Sequence, residues 1–208
     1  MLTSTPNKKD IESAHERILS FIHQTPVLTS ELLNQKVGCE LHFKCENFQK
    51  VGAFKYRGAT NAVLQLSAEE LKKGVATHSS GNHGQALAKA AKIANSKAYI
   101  VMPNNAPKVK IEAVKGYGAE VIFCEPALEA RETTLQKVID QAGAVFIHPY
   151  NNYDVIAGQA TCAKELINQV DGLQIILAPV GGGGLLSGTL LSAYYFAPNI
   201  EVWAGEPE

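Results

Sequence analysis

Ile175-Ile176-Leu177-Ala178-Pro179-Val180, followed by Gly181-Gly182-Gly183-Gly184, decides the fold of this chain. The first six residues are apolar and partly β-branched, the pattern of a buried strand. The glycines then let the backbone turn tightly and open a helix, predicted over Leu185 to Phe196. Successive small residues allow backbone N–H groups to converge on a phosphate, with the positive end of the helix behind them. Close packing of helix on strand is the competing reason for such a run. The run does not carry the G-x-G-x-x-G spacing of a dinucleotide site, and no Gly-Lys-Ser/Thr follows as in an ATPase loop. A nicotinamide-dependent reductase therefore lacks its fingerprint here.

Upstream, strand and helix patterns alternate. Asp10 is the expected cap of a helix with Ile11, Ala14, Ile18 and Ile22 on one face. Strands are predicted over Leu41–Glu46, Val75–His78, Ala98–Met102, Glu120–Cys124, Val145–Ile147 and Glu201–Ala204. Helices are predicted over Phe54–Leu66, Gly84–Ala94, Lys108–Lys115, Leu128–Gln141 and Ile156–Gln169. Strands separated by helices imply parallel sheets with right-handed crossovers, hence an α/β fold. Residues 74–148 are expected to form a smaller domain, and 1–73 with 149–208 a discontinuous larger one. The chain stops at Glu206-Pro207-Glu208, directly after a strand, where a parallel sheet normally continues into a covering helix. The larger domain is accordingly expected to be truncated.

Composition narrows the class. With 46% hydrophobic and 19% charged residues, the 208-residue chain matches an ordinary globular protein able to bury a core. A net charge of −1 gives no reason to expect nucleic acid or an acidic membrane as partner. No apolar run approaches the roughly 20 residues that span a bilayer, and the polar Met1–Asp10 shows no secretory signal. Cys39, Cys45, Cys124 and Cys162 match no zinc spacing and read as reduced thiols, mostly core fillers, in a cytoplasmic protein.

Two further segments carry chemistry. Phe54-Lys55-Tyr56-Arg57-Gly58-Ala59 puts a lysine at the start of a helix. A nucleophilic lysine must be partly neutral, which Ala53, Phe54 and the helix dipole would favour. A solvated helix lysine is the competing reading. Ser79-Ser80-Gly81-Asn82-His83-Gly84 lies between a strand and a helix, where α/β proteins place ligands. One Ser or Asn would suffice as a helix cap; four polar side chains in one turn point to binding. A reactive amine together with a phosphate cradle is what a pyridoxal phosphate enzyme requires.

These words, with Lys44-Cys45-Glu46-Asn47-Phe48-Gln49, Ser79–Ala88 and Val180–Gly188, resemble the fold type II pyridoxal phosphate enzymes from about Ile18 to Glu208. The serine racemase and serine/threonine dehydratase group is the nearest in pattern; tryptophan synthase β chains share the fold with different words. The resemblance implies two parallel-sheet α/β domains, the larger one incomplete, and a homodimer at full length. It implies that Lys55 binds the cofactor covalently, that Phe54 packs near the ring, and that Asn82 bonds the ring's phenolic oxygen. Gly181, Gly182, Gly183 and Gly184 would hold the phosphate. Ser79, Ser80, Asn82 and His83 would grip the substrate carboxylate. Ser80 stands where simple dehydratases carry alanine and racemases serine; it would act on the face of Cα that Lys55 does not cover. Arg131 matches a racemase arginine near the closed site, against the alternative of a surface helix arginine. Glu206 matches the first ligand of a magnesium or calcium site. Ser30, Lys50, Gln85 and Tyr117 match an ATP activator site, in which Glu31 replaces the family's serine.

The implied reaction is racemisation, or β-elimination with release of ammonia, on serine. Threonine and 3-hydroxyaspartate are the alternative substrates. A non-catalytic amino-acid-binding fragment is the rival of a different class.

Overall fold

The computed structural model describes residues 1–206; Pro207 and Glu208, the end of the expected larger domain, lie outside the described residues. The first helix, α1 (Lys8–Ile18), is capped by Asn7, with Asp10 returning a bond to the Asn7 N–H. Asp10 thus closes the cap from the third position instead of being the cap. Ile11, Ala14 and Ile18 are buried as expected, but α1 stops at Ile18 and Ile22 is buried in the turn that follows.

β1 (Val27–Leu28) pairs antiparallel with β2 (Phe43–Lys44). The strand expected over Leu41–Glu46 is therefore shorter, because a 3-10 turn over Glu46–Phe48 takes its end. Between β1 and β2 lies α2 (Glu31–Val37), which ends at Gly38 with φ 73°. After a second 3-10 turn, Lys50–Gly52, the chain enters α3 (Lys55–Leu64), and then α4 (Ala68–Lys73). The sequence reading missed α2 and α4. Both are short and bury no residue, so no apolar periodicity announces them.

The central unit runs β3 (Val75–His78), α5 (Asn82–Ile93), β4 (Ala98–Pro103), α6 (Lys108–Gly116), β5 (Glu120–Cys124), α7 (Leu128–Ala142) and β6 (Val145–Phe146). Its four strands are parallel in the order β5-β4-β3-β6. The chain steps outward from β3 to β4 and β5, then returns through α7 to the other side of β3. The order therefore reverses between β3 and β6. A crevice opens at the carboxyl ends of strands at such a switch point. Ser79–His83 follows β3 and His148–Asn151 follows β6, so both line it.

The rest is α8 (Tyr153–Gln169), β7 (Ile175–Pro179), α9 (Gly184–Phe196) and β8 (Glu201–Gly205), with β7 and β8 parallel. Helix α3 is buried continuously from Tyr56 to Val63. It crosses α8 at a pair of glycines: a Cβ on Gly158 would come 2.6 Å from the Gly58 Cα. One apolar cluster runs through Ile18, Tyr56, Val63, Val75, Leu87, Ile100 and Ile147, so α5 packs on α3 as well as on its own sheet. Cys45, Cys124 and Cys162 are buried and Cys39 is exposed, all as free thiols. Burial pushes the Cys162 thiol up to about 12. Among the described residues no helix is long and apolar enough to cross a membrane.

Candidate active site

Lys55 is the first residue of α3, behind Phe54, whose side chain does not cap the helix. Its Nζ donates to the Pro149 carbonyl at 2.8 Å and lies 5.3 Å from the centroid of the Phe54 ring. No carboxylate pairs with it among the described residues. Burial without a counter-ion lowers its pKa from the ordinary lysine value. This is not the environment of a solvated helix lysine.

Two residues on, Arg57 is fully buried and richly paired. It bonds Glu46 through Nε and Nη2 at 2.8 Å, and Glu165 through Nη1 at 2.7 Å and Nη2 at 2.8 Å. Lys44 completes the network, 2.8 Å from Glu165. Burial opposes the Arg57 charge, but the bonds to Glu46 and Glu165 outweigh it and hold its pKa above the usual value. The network ties α3 to α8 and to the turn after β2, and so fixes the helix that starts with Lys55.

In the Ser79–His83 turn, Gly81 occupies the cap position of α5 and no side chain caps the helix. The Ser79 Oγ accepts the Gly81 N–H at 3.2 Å. Asn82 is exposed, and its Oδ1 accepts from the Lys110 Nζ at 2.9 Å. Helix capping thus does not account for these polar groups, and the first amides of α5 remain free for an anion. His83 is buried, with Nε2 3.1 Å from the Ile147 carbonyl and Nδ1 without a partner. Burial, with Lys55 adding to it, drives its pKa down to about 3, so the ring is neutral. His83 therefore faces the end of β6 and the lysine, while Asn82 faces α6.

The glycine run approaches Tyr150. A Cβ on Gly182 would fall within the Tyr150 ring, and one on Gly184 would come 3.1 Å from the Tyr150 Cα. Gly183 has φ 83°, a conformation that favours glycine. No side chain caps α9. Further along, α9 packs closely on α8 at Gly188, where a Cβ would come 2.6 Å from the Ala160 nitrogen.

The segment Ile147–Asn151 brings the three motifs together. Ile147 takes His83, Pro149 takes Lys55, and Tyr150 covers Gly182 and Gly184. The sequence reading singled out none of these five residues. The available signal was weak: His148-Pro149-Tyr150-Asn151-Asn152 has the composition of a loop before a helix, and Asn152 does cap α8.

The remaining expected residues are dispersed. Arg131, in the first turn of α7, is half-buried with an unpartnered Nε, and its charge lowers the pKa of His78 after burial has done so. Ser30 caps α2, and the Lys50 Nζ donates to the Phe21 carbonyl at 2.5 Å. Gln85 is buried with Nε2 unpartnered, and Tyr117 lies with its ring centroid 5.2 Å from the Lys89 Nζ. Glu206 is exposed, and among the described residues no group of three His, Cys, Asp or Glu could hold a metal ion.

Residues 18–208 match the family described as pyridoxal-phosphate dependent enzyme. The chain belongs to that family. Its fold is correspondingly shared. The maize serine racemase structure superimposes with a TM-score of 0.97 at 45% identity, over 99% of this chain and 62% of that one. In sequence, the chain is 54% identical to serine racemase of Dictyostelium discoideum, covering 98% of this chain and 63% of that protein. It is 52% identical to β-hydroxyaspartate dehydratase of Paracoccus denitrificans, covering 98% of this chain and 64% of that protein. The chain thus spans a little under two thirds of the relatives it matches.

The family implies pyridoxal phosphate, and the residues present fit it. The aldehyde needs an amine without a counter-ion, which Lys55 offers. The phosphate needs uncapped helix amides behind small residues, which α9 and Gly181–Gly184 offer.

Proposed function

We propose that this chain carries the cofactor-binding and proton-transfer residues of an enzyme that racemises serine or removes its β-hydroxyl with release of ammonia. The observation that carries the reading is the Lys55 amine, half-buried, unpaired by any carboxylate among the described residues, and held by Pro149 in the turn that also meets His83 and the glycine run. The amides of Gly181–Gly184 would bind the phosphate, and Asn82, exchanging its bond from Lys110, the phenolic oxygen of the ring. The free amides of the Ser79–His83 turn would bind the substrate carboxylate. When bound, pyridoxal phosphate supplies the electron sink. The Lys55 Nζ then takes the Cα proton, and the Ser80 hydroxyl delivers one to the opposite face. If the β-hydroxyl departs first, the product is a keto acid with ammonia. Arg131, near His78, would meet the substrate when the cleft closes and excludes water.

The similarity to a β-hydroxyaspartate dehydratase favours 3-hydroxyaspartate as a second substrate. The same reading includes a cytoplasmic homodimer of two α/β domains divided at 74–148, a cation at Glu206, and ATP at Ser30, Lys50, Gln85 and Tyr117. Its support for the nucleotide is that Lys89 lies against Tyr117 and close enough to Lys50 for their charges to interact.

Titration with pyridoxal phosphate followed by borohydride reduction and peptide mapping tests the core of this reading. The expected result is visible absorbance and a label on Lys55. A colourless, unlabelled chain would leave only the amino-acid-binding fragment. Assayed on serine, Ser80→Ala should abolish racemisation and retain part of the elimination; equal loss of both would sink the two-face assignment.

A further inference from the structure

The turn after β6 meets Lys55, His83 and the glycine run, and a single side chain closes it. The His148 Nδ1 accepts the Asn151 N–H at 2.8 Å and the Tyr150 N–H at 3.3 Å. The ring meets Tyr150 edge-on, with centroids 4.5 Å apart at 89°, and Phe146 at 5.5 Å and 62°. Through this turn, Pro149 holds the Lys55 amine and Tyr150 covers the glycine run.

We infer that His148 is a positioning residue: its unprotonated Nδ1 clamps the turn and thereby sets the Lys55 amine against the glycine run. The inference rests on the reading of Lys55 and the glycines as the cofactor site. An imidazole nitrogen that accepts two backbone N–H groups must carry a lone pair, so the proton sits on Nε2. Protonating Nδ1 would aim a donor at two donors and open the turn. The surroundings oppose that protonation. Burial disfavours the cation, then the charges of His78 from β3 and Lys55 from α3 add to it. His83 from α5 also lies within charge range, and Tyr150 is the aromatic neighbour within the turn. No carboxylate pairs with His148 among the described residues. The neutral clamp therefore persists below the ordinary histidine range and fails only as pH falls further. Protonation of the Lys55 amine also weakens capture as pH falls, and His148 adds a second acid limb to that one.

Asparagine separates clamp from titration, because its Oδ1 occupies the place of Nδ1, accepts the same amides and does not titrate. The test compares the 208-residue chain with His148→Ala and His148→Asn. Pyridoxal phosphate affinity is titrated from neutral pH downward, and amide hydrogen exchange is followed without cofactor. His148→Ala should bind about tenfold more weakly, as two lost hydrogen bonds would give, with faster exchange at Asn151. His148→Asn should bind within about threefold of the parent at neutral pH, on the same grounds, and weaken less steeply than the parent as pH falls. Unchanged affinity in His148→Ala, or an acid limb in His148→Asn as steep as the parent's, overturns the inference. Should His148→Ala not fold, NMR of the parent decides: a proton on Nε2 supports the clamp and one on Nδ1 overturns it. A parent that binds no pyridoxal phosphate yet shows Nε2–H and slow exchange at Asn151 would refute the cofactor reading and leave the clamp standing.

Discussion

Lys55 and Arg57 lie two residues apart on α3 and meet opposite surroundings. Arg57 is enclosed by two carboxylates and the Thr161 hydroxyl, which together satisfy its guanidinium. Lys55 has one carbonyl oxygen and an aromatic ring. Burial penalises both charges. In Arg57 the paired carboxylates outweigh the penalty, so the charge is permanent and structural; in Lys55 nothing does, so the amine is easily neutralised and available for reaction. The network holds the helix still while leaving its first residue chemically unsatisfied. The proposed function depends on where counter-charges are withheld.

Removing the counter-charged cation should do the most damage. Arg57→Met leaves Glu46 with a hydroxyl and Glu165 with Lys44 alone. Breaking a buried pair costs about 3–5 kcal/mol, which lowers Tm by roughly 10 °C in a chain of this size. A thermal melt that shifts by only a degree or two would show that the network is not structural.

The unsatisfied side of the comparison is probed by pH. His83 has a pKa of about 3 in the fold, against 6.5 for the unperturbed side chain. Between these values the unfolded chain binds a proton that the folded chain refuses. The contribution is complete above the upper value and is lost as pH falls toward the lower one, about 2 kcal/mol of it by pH 5. Denaturant midpoints at neutral and acid pH measure the loss, and His83→Gln should shrink it. An undiminished loss in that variant would place the acid sensitivity elsewhere.

The smallest effect on stability belongs to Lys55→Met, which removes one hydrogen bond and one desolvated amine. Its unfolding free energy should change by less than about 1 kcal/mol, although borohydride-stable labelling disappears. A strongly destabilised Lys55→Met chain would erase the contrast with Arg57.

Much of this could be read from the sequence, for identifiable reasons. β3 and β5 were expected with the bounds they have, because β-branched runs end at turn residues. Gly58, within the quoted lysine motif, marks the close crossing of α3 on α8. Other features had no local signal. Asp10 looks like a cap, but Asn7 takes that place and Asp10 answers it. Ile22 keeps the apolar period of α1 after the helix has ended.

The alternation of strand and helix, the lysine at a helix start, the polar turn and the glycine run are legible in the chain before it folds. These are short-range patterns, written in residues adjacent along the chain. Packing is what pins Arg57, unremarkable in its motif, between Glu46 and Glu165 from distant elements. It alone put His148, Pro149 and Tyr150 between the three motifs. Their roles rest on a carbonyl, a ring face and a lone pair, groups that many residues could supply. The fold selects them by bringing β6 beside β3, where the strand order reverses.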